Sequence, residues 1–408
     1  MTSLTSGELA ERTDGAVTSD VVVVLAGCHG PEAIREGVRR VTAGLRLLGD
    51  DLTALVGCTS DSGVSTTDDG RVRVVVFEVD PIDRFPVITS APRDVYRALF
   101  SAGRIAGARA MAVIATNGDQ LTPAMVRALV QPVIVDGFDI VAPGYERQVF
   151  DGLLNAAVVY PLTRALYGRR IQGQLGVDFC FSSRVAARWG TGAEDVKVTR
   201  PTWLIPQAIV DGLRVCQAHV EARLIPAPDG IDLGTLLAQV LGSLFADTEQ
   251  RAAFWQRVQR SQPVPVFGTA PLQPAGGDEV DVRPMIESFR LAYRNLQSVW
   301  TLVLPPATLV ELKRLTLADA ARFRLTDDLW ARIVFDFTLA HRLRTINRDH
   351  LLKALVPLYL AWIASYATEV QNATRQMADV RLEQLCQAFE TEKPYLVRRW
   401  RWPDRFNP

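Results

Sequence analysis

From Asp20 onward, short runs of β-branched and other apolar residues alternate with longer segments of helical period. This alternation is typical of a mostly parallel sheet covered by helices on both faces, so an α/β fold is predicted. The predicted strands are 21–25, 52–58, 71–79, 110–115 and 140–143, and the predicted helices between them are 32–48, 93–105 and 123–135. Ligands of such sheets bind outside the carboxyl ends of the strands. The loops predicted to bind a ligand are therefore 27–31, 59–70 and 116–122.

The chain changes character after residue 260. Its 408 residues exceed what one small core needs, which favours two domains. A stretch rich in proline and glycine interrupts the pattern, and four long helical periods follow it, over 285–300, 327–342, 350–370 and 381–400. We predict a disordered tail over 1–19, an α/β domain over 20–260, a linker or long loop over 261–282, and a helical domain over 283–408.

Composition restricts the partners and the compartment. Lys plus Arg and Asp plus Glu number 45 each, so no overall charge recruits nucleic acid or an anionic membrane. The five cysteines form no C-x-x-C pair, which argues against a metal knuckle and a disulfide framework. The start of the chain lacks the pattern of a secretion signal, and the apolar stretch 351–366 is too short to span a bilayer. We expect a cytoplasmic protein whose partners are small molecules or other proteins.

Residues 138–182 carry a specific motif pattern, with Tyr145-x-Arg147, Phe150-Asp151-Gly152 and a run from Tyr160 to Gly168. Residues 327–332, 347–352 and 386–397 add to it. Together these stretches resemble the mannosylglycerate and glucosylglycerate synthases, which are retaining glycosyltransferases of the GT-A type. The resemblance implies a GT-A nucleotide-sugar transferase fold with an α-helical C-terminal extension. It also implies a nucleoside-diphosphate hexose as donor and a small polar acid or alcohol as acceptor.

The chain departs from that family where a metal is normally bound. The family's Asp-Ser-Asp, which holds Mg²⁺ or Mn²⁺ against the donor diphosphate, falls on Ala115, Thr116 and Asn117. The family's metal-binding His falls near Ile225, which cannot ligate. Asp119 is either a single displaced ligand or a solvated turn residue. We therefore assign no metal ligand and expect no divalent cofactor.

Other family positions are altered as well. The Gly-Lys-Gly that contacts donor phosphates is replaced at 91–93, where Arg93 still supplies a cation. An acceptor-side Asp falls on 199–201 and is missing. Asp178 is then the best remaining carboxylate near the implied reaction centre, either orienting the acceptor or capping the following turn.

The candidate site follows from these matches. Asp178 and Arg147 are predicted to be catalytic. Residues predicted to bind the nucleotide sugar are Asp61, Arg93, Asn117, Asp119 and Arg164. A guanidinium group can hold a diphosphate or carboxylate bidentately, but Arg147 can equally form a structural ion pair with Asp151 or Glu146. For Asp61, the alternative to base binding is turn chemistry.

Two classes of function remain open. The first is a hexosyltransferase that works without a conventionally held metal, with arginines offsetting the charge of the leaving diphosphate. The second is a non-catalytic relative that acts as a sensor or as the partner subunit of an active enzyme, or a fold used for another reaction. The broad apolar faces of the C-terminal helices predict a homodimer.

Overall fold

The computed structural model describes residues 18–59, 63–67, 69–77, 92–116, 120–189, 202, 204–223, 232–268 and 280–403. The chain packs as two compact units. The first comprises Met1–Glu146, Gly173–Ile225 and Val264–Pro271, and the second comprises Arg147–Gln172, Pro226–Pro263 and Leu272–Pro408. Two segments from the middle of the chain therefore pack with the C-terminal helices, and the domain boundaries near 260 and 283 stay a prediction.

The described residues form the following elements. The strands are β1 Val21–Leu25, β2 Ala54–Cys58, β3 Val72–Val76, β4 Ala110–Ile114, β5 Ile140–Glu146, β6 Arg169–Arg170, β7 Phe179–Ser182, β8 Val215–Arg223, β9 Gln262–Pro263 and β10 Val266–Phe267. The helices of the first unit are α1 Pro31–Arg46, α2 Pro92–Ile105, α3 Pro123–Ile134, α5 Ser183–Trp189 and α6 Leu204–Val210. Those of the second are α4 Tyr160–Tyr167, α7 Leu233–Gln250, α8 Ala252–Trp255, α9 Arg283–Val303, α10 Pro306–Leu317, α11 Asp327–Leu343, α12 Arg348–Val370 and α13 Arg375–Arg401.

The first unit contains an eight-stranded sheet of order β10-β8-β5-β7-β4-β1-β2-β3. All neighbouring strands are parallel except β7, which lies antiparallel between β4 and β5. The predicted mostly parallel α/β sheet is therefore confirmed. Strand order reverses at β1, which pairs with β2 on one side and β4 on the other. The carboxyl ends of β1 and β4 thus form the edge where ligands of such sheets bind.

The sequence of β1 explains its central place. Its five residues, four valines and a leucine, are all fully buried, because helices cover both faces of the sheet. One face of the sheet packs against α1 and α3, and α2 packs on β1 and β4 from the other face. Gly27 follows β1, and a Cβ atom there would lie 1.9 Å from the carbonyl oxygen of Ala115. Only glycine lets the exits of β1 and β4 approach so closely.

The second unit is mainly helical, as predicted for the C-terminal part of the chain. Pairs of helices pack along their apolar faces, α9 on α12, α11 on α13, and α4 on α13. Four tryptophans, Trp255, Trp300, Trp330 and Trp362, are fully buried in it. Helix α12 is long and apolar enough to cross a membrane, but 72% of its most apolar window is buried inside the protein, as in a core helix.

A tryptophan side chain bonds to a backbone carbonyl group just before a helical proline in this unit. Asn155–Val159 is a π-helical segment that leads directly into α4. Pro161 has no N–H to donate to the carbonyl group of Ala157, four residues earlier. The indole Nε1–H of the buried Trp330 donates to that oxygen at 2.9 Å. The indole therefore supplies a donor to a carbonyl group that Pro161 cannot serve.

Candidate functional site

A buried carboxylate holds the end of β4. Oδ1 of Asp178 accepts hydrogen bonds from the backbone N–H groups of Ala115 at 2.7 Å and Thr116 at 2.9 Å. Oδ2 accepts from Thr116 Oγ1 at 2.8 Å and from the Tyr145 hydroxyl at 2.6 Å. Asp178 is completely buried. It precedes β7 in the sequence, so it ties the start of that antiparallel strand to the exit of its neighbour β4.

The orientation of the Tyr145 hydroxyl is fixed by two further bonds. Its oxygen accepts from the backbone N–H groups of Val177 at 3.1 Å and Asp178 at 3.2 Å. These bonds occupy both lone pairs, so the hydroxyl hydrogen must point toward the Asp178 carboxylate. The cluster of Ala115, Thr116, Tyr145 and Asp178, which we call the strand-end cluster, therefore joins β4, β5 and the segment before β7.

Burial and hydrogen bonding act on Asp178 in opposite directions. Loss of water raises the pKa of its carboxyl group above the ordinary value, while the donors of Tyr145, Thr116 and Ala115 lower it. Burial and the adjacent carboxylate also raise the pKa of Tyr145 well above its usual range. Burial is the largest influence, so the net shift of the Asp178 pKa is upward.

The loop before β7 lies against β5. A Cβ atom on Gly173 would be 1.8 Å from the carbonyl oxygen of Pro143, so only glycine fits there. This close approach brings the loop over the carboxyl half of β5 and places Asp178 within reach of Tyr145.

Sequence reasoning missed two polar side chains on β8. His219 lies beside Gly144 of the neighbouring β5, and burial lowers its pKa. Glu221 is exposed and accepts from Thr122 Oγ1 at 3.3 Å. Thr122 also caps α3 by accepting from Met125 N. The two-residue spacing of His219 and Glu221 in a strand pattern was the signal that they share one face.

The described residues of this edge do not fit a conventional metal site of the Asp-x-Asp type. Ala115 has no ligating side chain, and the Thr116 hydroxyl is bonded to a carboxylate whose two oxygens accept four donors. Within the described ranges, no three His, Cys, Asp or Glu side chains form a group able to hold a metal ion. Asp61, Asn117, Asp119 and the side chain of Arg93 lie outside the described residues. Their predicted roles, and metal independence, stay predictions.

Arg147 belongs to the second unit and forms an ion pair there. Its Nη2 lies 3.0 Å from Oδ1 of Asp379 on α13. Of the two partners predicted for a structural ion pair, Asp151 instead accepts from Gln148 N at 2.8 Å. Burial, followed by the nearby charge of Arg375, lowers the pKa of Arg147 despite Asp379.

Arg164 lies in the interior of the second unit. Its side chain is fully buried, its Nη1 and Nη2 groups bond to Glu383 at 2.5 and 2.8 Å, and its Nε bonds to Glu390 at 2.9 Å. Burial lowers the pKa of Arg164, but the bonds to Glu383 and Glu390 outweigh it, and the net shift is upward. These contacts support a structural role, and binding of a nucleotide sugar by Arg164 stays a prediction.

No known family model matches the chain, and no curated protein matches it. Among solved structures it is similar to glucosyl-3-phosphoglycerate synthase from Mycobacterium tuberculosis. For the complex of that enzyme with Mn²⁺, uridine diphosphate and glucosyl-3-phosphoglycerate, the identity is 19%, the coverage is 60% of this chain and 85% of that chain, and the TM-score is 0.36. For another structure of the same enzyme the identity is 21%, the coverage is 60% of this chain and 85% of that chain, and the TM-score is 0.33. A mycobacterial protein is 19% identical, with coverage of 68% of this chain and 86% of that chain and a TM-score of 0.33. At these values we take no activity from the likeness, and the function is proposed from the site.

Proposed function

We propose that this protein binds a nucleoside-diphosphate sugar at the carboxyl edge of the first unit and transfers its hexosyl group to a small polar acceptor. The observation that supports this most is the strand-end cluster, which holds the exit of β4 beside the point where strand order reverses. Ligands of open α/β sheets bind at such points. The motif pattern of residues 138–182 supplies the sugar-nucleotide class.

In this proposal Asp178 positions the backbone and does not contact substrate, because it is fully buried. By fixing Ala115 and Thr116 it sets the direction in which the chain enters residues 117–119. Asn117, Asp119 and Asp61 are the proposed contacts of the nucleotide sugar. Arg93 is the proposed cation, whose charge would oppose that developing on the leaving diphosphate, and a catalytic role for Arg147 stays a prediction.

A second function is a non-catalytic one, in which the chain binds the sugar nucleotide as a sensor or as the partner subunit of an active relative. One observation favours it. The best carboxylate candidate has both oxygens occupied by backbone and hydroxyl donors, so it is not free to act as a base or nucleophile. In either case the C-terminal helices are proposed to form a homodimer, which monomeric sedimentation at micromolar concentration would contradict.

Ligand-induced thermal stabilisation, combined with detection of released nucleoside diphosphate, tests both functions. A ligand at 100 times its dissociation constant adds about 2.7 kcal/mol of stability. Stabilisation with product release supports the transferase, stabilisation alone supports the sensor, and no stabilisation by any nucleoside-diphosphate sugar contradicts both.

Asp139 offers a matched control for Asp178. It is also buried in the first unit, but it lies at the amino end of β5, where it accepts from Ser182 Oγ and Arg214 N. We expect Asp178→Asn to weaken sugar-nucleotide binding and Asp139→Asn to leave the affinity unchanged in the folded protein. Equal losses in both variants would show that Asp178 serves the fold only.

Metal dependence is tested separately, by measuring the affinity for the sugar nucleotide with and without a divalent cation. We expect Mg²⁺ and Mn²⁺ to leave the affinity for the sugar nucleotide unchanged, because Ala115 and Thr116 replace the first two residues of the family's metal motif. A tenfold tightening by Mn²⁺, equal to about 1.4 kcal/mol, that Asp119→Asn abolishes would identify Asp119 as a metal ligand.

A further inference from the structure

His219 on β8 is level with the end of β4 that the strand-end cluster holds. One row of directly paired residues crosses β4, β7, β5 and β8, and it consists of Met111, Phe181, Ile140 and Val215. Four residues further along the three parallel strands, the corresponding row contains Ala115, Gly144 and His219. His219 therefore lies at the carboxyl edge of the sheet of the first unit, where the proposed substrates bind.

The strand order places His219 far from the predicted base-binding loop. Neighbouring strands are about 4.8 Å apart, so β8 lies about 14 Å from β4 and about 24 Å from β2. The nucleotide base is predicted to bind at Asp61, in the loop that follows β2. A ligand at His219 is then at the opposite end of the edge, where the acceptor of the proposed transfer would lie.

Glycines flank the His219 side chain on both sides. A Cβ atom on Gly144 of β5 would lie 3.3 Å from Nδ1 of His219, and one on Gly268, just after β10, would lie 3.6 Å from its Cβ. Gly268 has a φ of +77°, which by itself favours glycine, whereas Gly144 has no positive φ. A glycine inside a strand often marks the close approach of a ligand. The two glycines, which we call the glycine strip, leave the imidazole without neighbouring side chains on either strand.

The chemistry of the ring fits a hydroxyl group. His219 is half-buried, and in the part of the chain that the structure describes neither ring nitrogen has a hydrogen-bond or ion-pair partner. Burial lowers the pKa of His219, so the ring is uncharged at neutral pH. A neutral imidazole has one N–H donor and one acceptor nitrogen, and a hydroxyl group both donates and accepts. An uncharged ring offers a phosphate or carboxylate group no opposite charge.

We propose that the imidazole of His219 binds a hydroxyl group of the acceptor above the glycine strip. The inference rests on the proposed function and deepens it, because it gives the acceptor a contact and a functional group. It makes His219 a residue that determines acceptor specificity.

Nuclear magnetic resonance of isotope-labelled histidine tests the contact directly, because the chain has 4 histidines and His219→Ala identifies the signal. The probes are glycerate and propionate, two three-carbon acids of which only glycerate carries hydroxyl groups, each added with and without uridine diphosphate. We expect glycerate to shift the His219 signal and to leave that of the exposed His350 on α12 in place. Propionate should shift neither. A His219 signal that ignores glycerate, or that follows propionate equally, overturns the proposal.

Variants test the site by two independent changes. His219→Ala should weaken glycerate binding about tenfold, as expected for the loss of one hydrogen bond. Gly144→Ala keeps the imidazole but fills the strip, since its Cβ atom would lie 3.3 Å from Nδ1, and it should weaken binding as well. His219→Asn, which keeps a donor and an acceptor, should give an intermediate affinity. His350→Gln is the matched control.

The outcome that contradicts the variants' predictions is equally specific. Unchanged glycerate affinity in both His219→Ala and Gly144→Ala, or an equal loss in His350→Gln, overturns the proposal. Urea unfolding of each variant separates a local loss of binding from a loss of the fold.

The donor provides the remaining comparison. His219→Ala should leave the affinities for uridine diphosphate and uridine-diphosphate-glucose equal to those of the unmodified protein. If the variant weakens only uridine-diphosphate-glucose, the hydroxyl group belongs to the donor sugar and the acceptor assignment is wrong. Normal binding of the sugar nucleotide with glycerate binding that does not depend on His219 overturns this inference alone. Absence of binding by any nucleoside-diphosphate sugar contradicts the proposed function, so the two fail separately.

Discussion

Each unit of the molecule buries an aspartate that accepts a hydrogen bond from a tyrosine, yet the two are neutralised differently. In the first unit Asp178 accepts from Tyr145, Thr116 and two backbone N–H groups. In the second unit Asp336 on α11 accepts from the Tyr395 hydroxyl at 2.8 Å and lies 3.0 Å from Arg399 Nη1, both on α13. Dipoles hold the first carboxylate, and a full opposite charge holds the second.

The difference shows what each contact does for the protein. Backbone N–H groups are fixed by the chain, so a carboxylate that binds them determines the path of the strand end. An arginine on a neighbouring helix joins two elements instead, so the pair at Asp336 connects α11 to α13. We infer that Asp178 serves the geometry of the candidate site and Asp336 the stability of the helical unit.

The largest effect is expected for Asp336→Ala. The change leaves the Arg399 guanidinium, only 4% exposed, without its counter-charge, and breaking a buried pair in this way costs about 3–5 kcal/mol. Urea unfolding near pH 8 measures the loss. The double variant Asp336→Leu with Arg399→Met should recover most of it, because it removes both charges. If the double variant is as unstable as the single one, charge is not what makes this contact important.

The second prediction concerns pH. Burial raises the pKa of Asp336 to about 7 although Arg399 opposes the shift. The folded state then binds this proton more tightly than the unfolded state, whose pKa is about 4. The free energy of unfolding should therefore fall as pH rises between these values, by up to about 1.4 kcal/mol per pH unit from this group. Unfolding curves across that interval check the slope, and Asp336→Asn should flatten it.

A smaller loss is expected for Asp178→Asn, about 1–3 kcal/mol by urea unfolding. The amide keeps an oxygen for Ala115 N and Thr116 N but turns an NH₂ group toward Tyr145, whose lone pairs are already occupied. Adding Tyr145→Phe removes this conflict, so the double variant should lose less than the sum of the single changes. Strict additivity would mean that the two side chains do not act together.

The smallest losses of stability are expected for the two tyrosines that donate to the buried aspartates. Tyr145→Phe and Tyr395→Phe should each lower the free energy of unfolding by about 1 kcal/mol, because each removes a hydrogen bond to a buried carboxylate. Only Tyr145→Phe should also weaken sugar-nucleotide binding, measured by calorimetry. Equal effects on binding would remove the functional distinction between the units.

The regular part of the fold was predictable from local pattern. Continuous apolar runs such as 21–25 are buried on both faces and match β1, and the periods at 327–342 and 350–370 match α11 and α12. The antiparallel strand β7 was not predicted, because its four residues are too few to show a period and its pairing depends on distant strands. Helix α10 was missed for a similar reason, since tertiary packing and not a strong local period fixes it.

The candidate site was only partly predictable. The sequence pattern singled out Asp178 and placed it before a turn. Its bonds to Ala115 and Thr116 were not predictable, because these residues lie more than sixty positions away in the sequence. Arg147 was predicted to be catalytic or to pair with Asp151 or Glu146, whereas the structure pairs it with Asp379, far along the sequence. Charge partners close in space and distant in sequence leave no periodic signal.

The bond from Trp330 to the carbonyl group of Ala157 has a consequence for the evolution of related chains. A proline at 161 cannot donate to this carbonyl group and the indole at 330 does, so we infer that the two positions constrain each other although they lie in different helices. A lineage that replaces Pro161 gains a backbone N–H next to this carbonyl group and relaxes the demand for tryptophan, whereas one that loses Trp330 first removes a donor from it. We therefore expect substitutions at 330 to follow those at 161, and not to precede them.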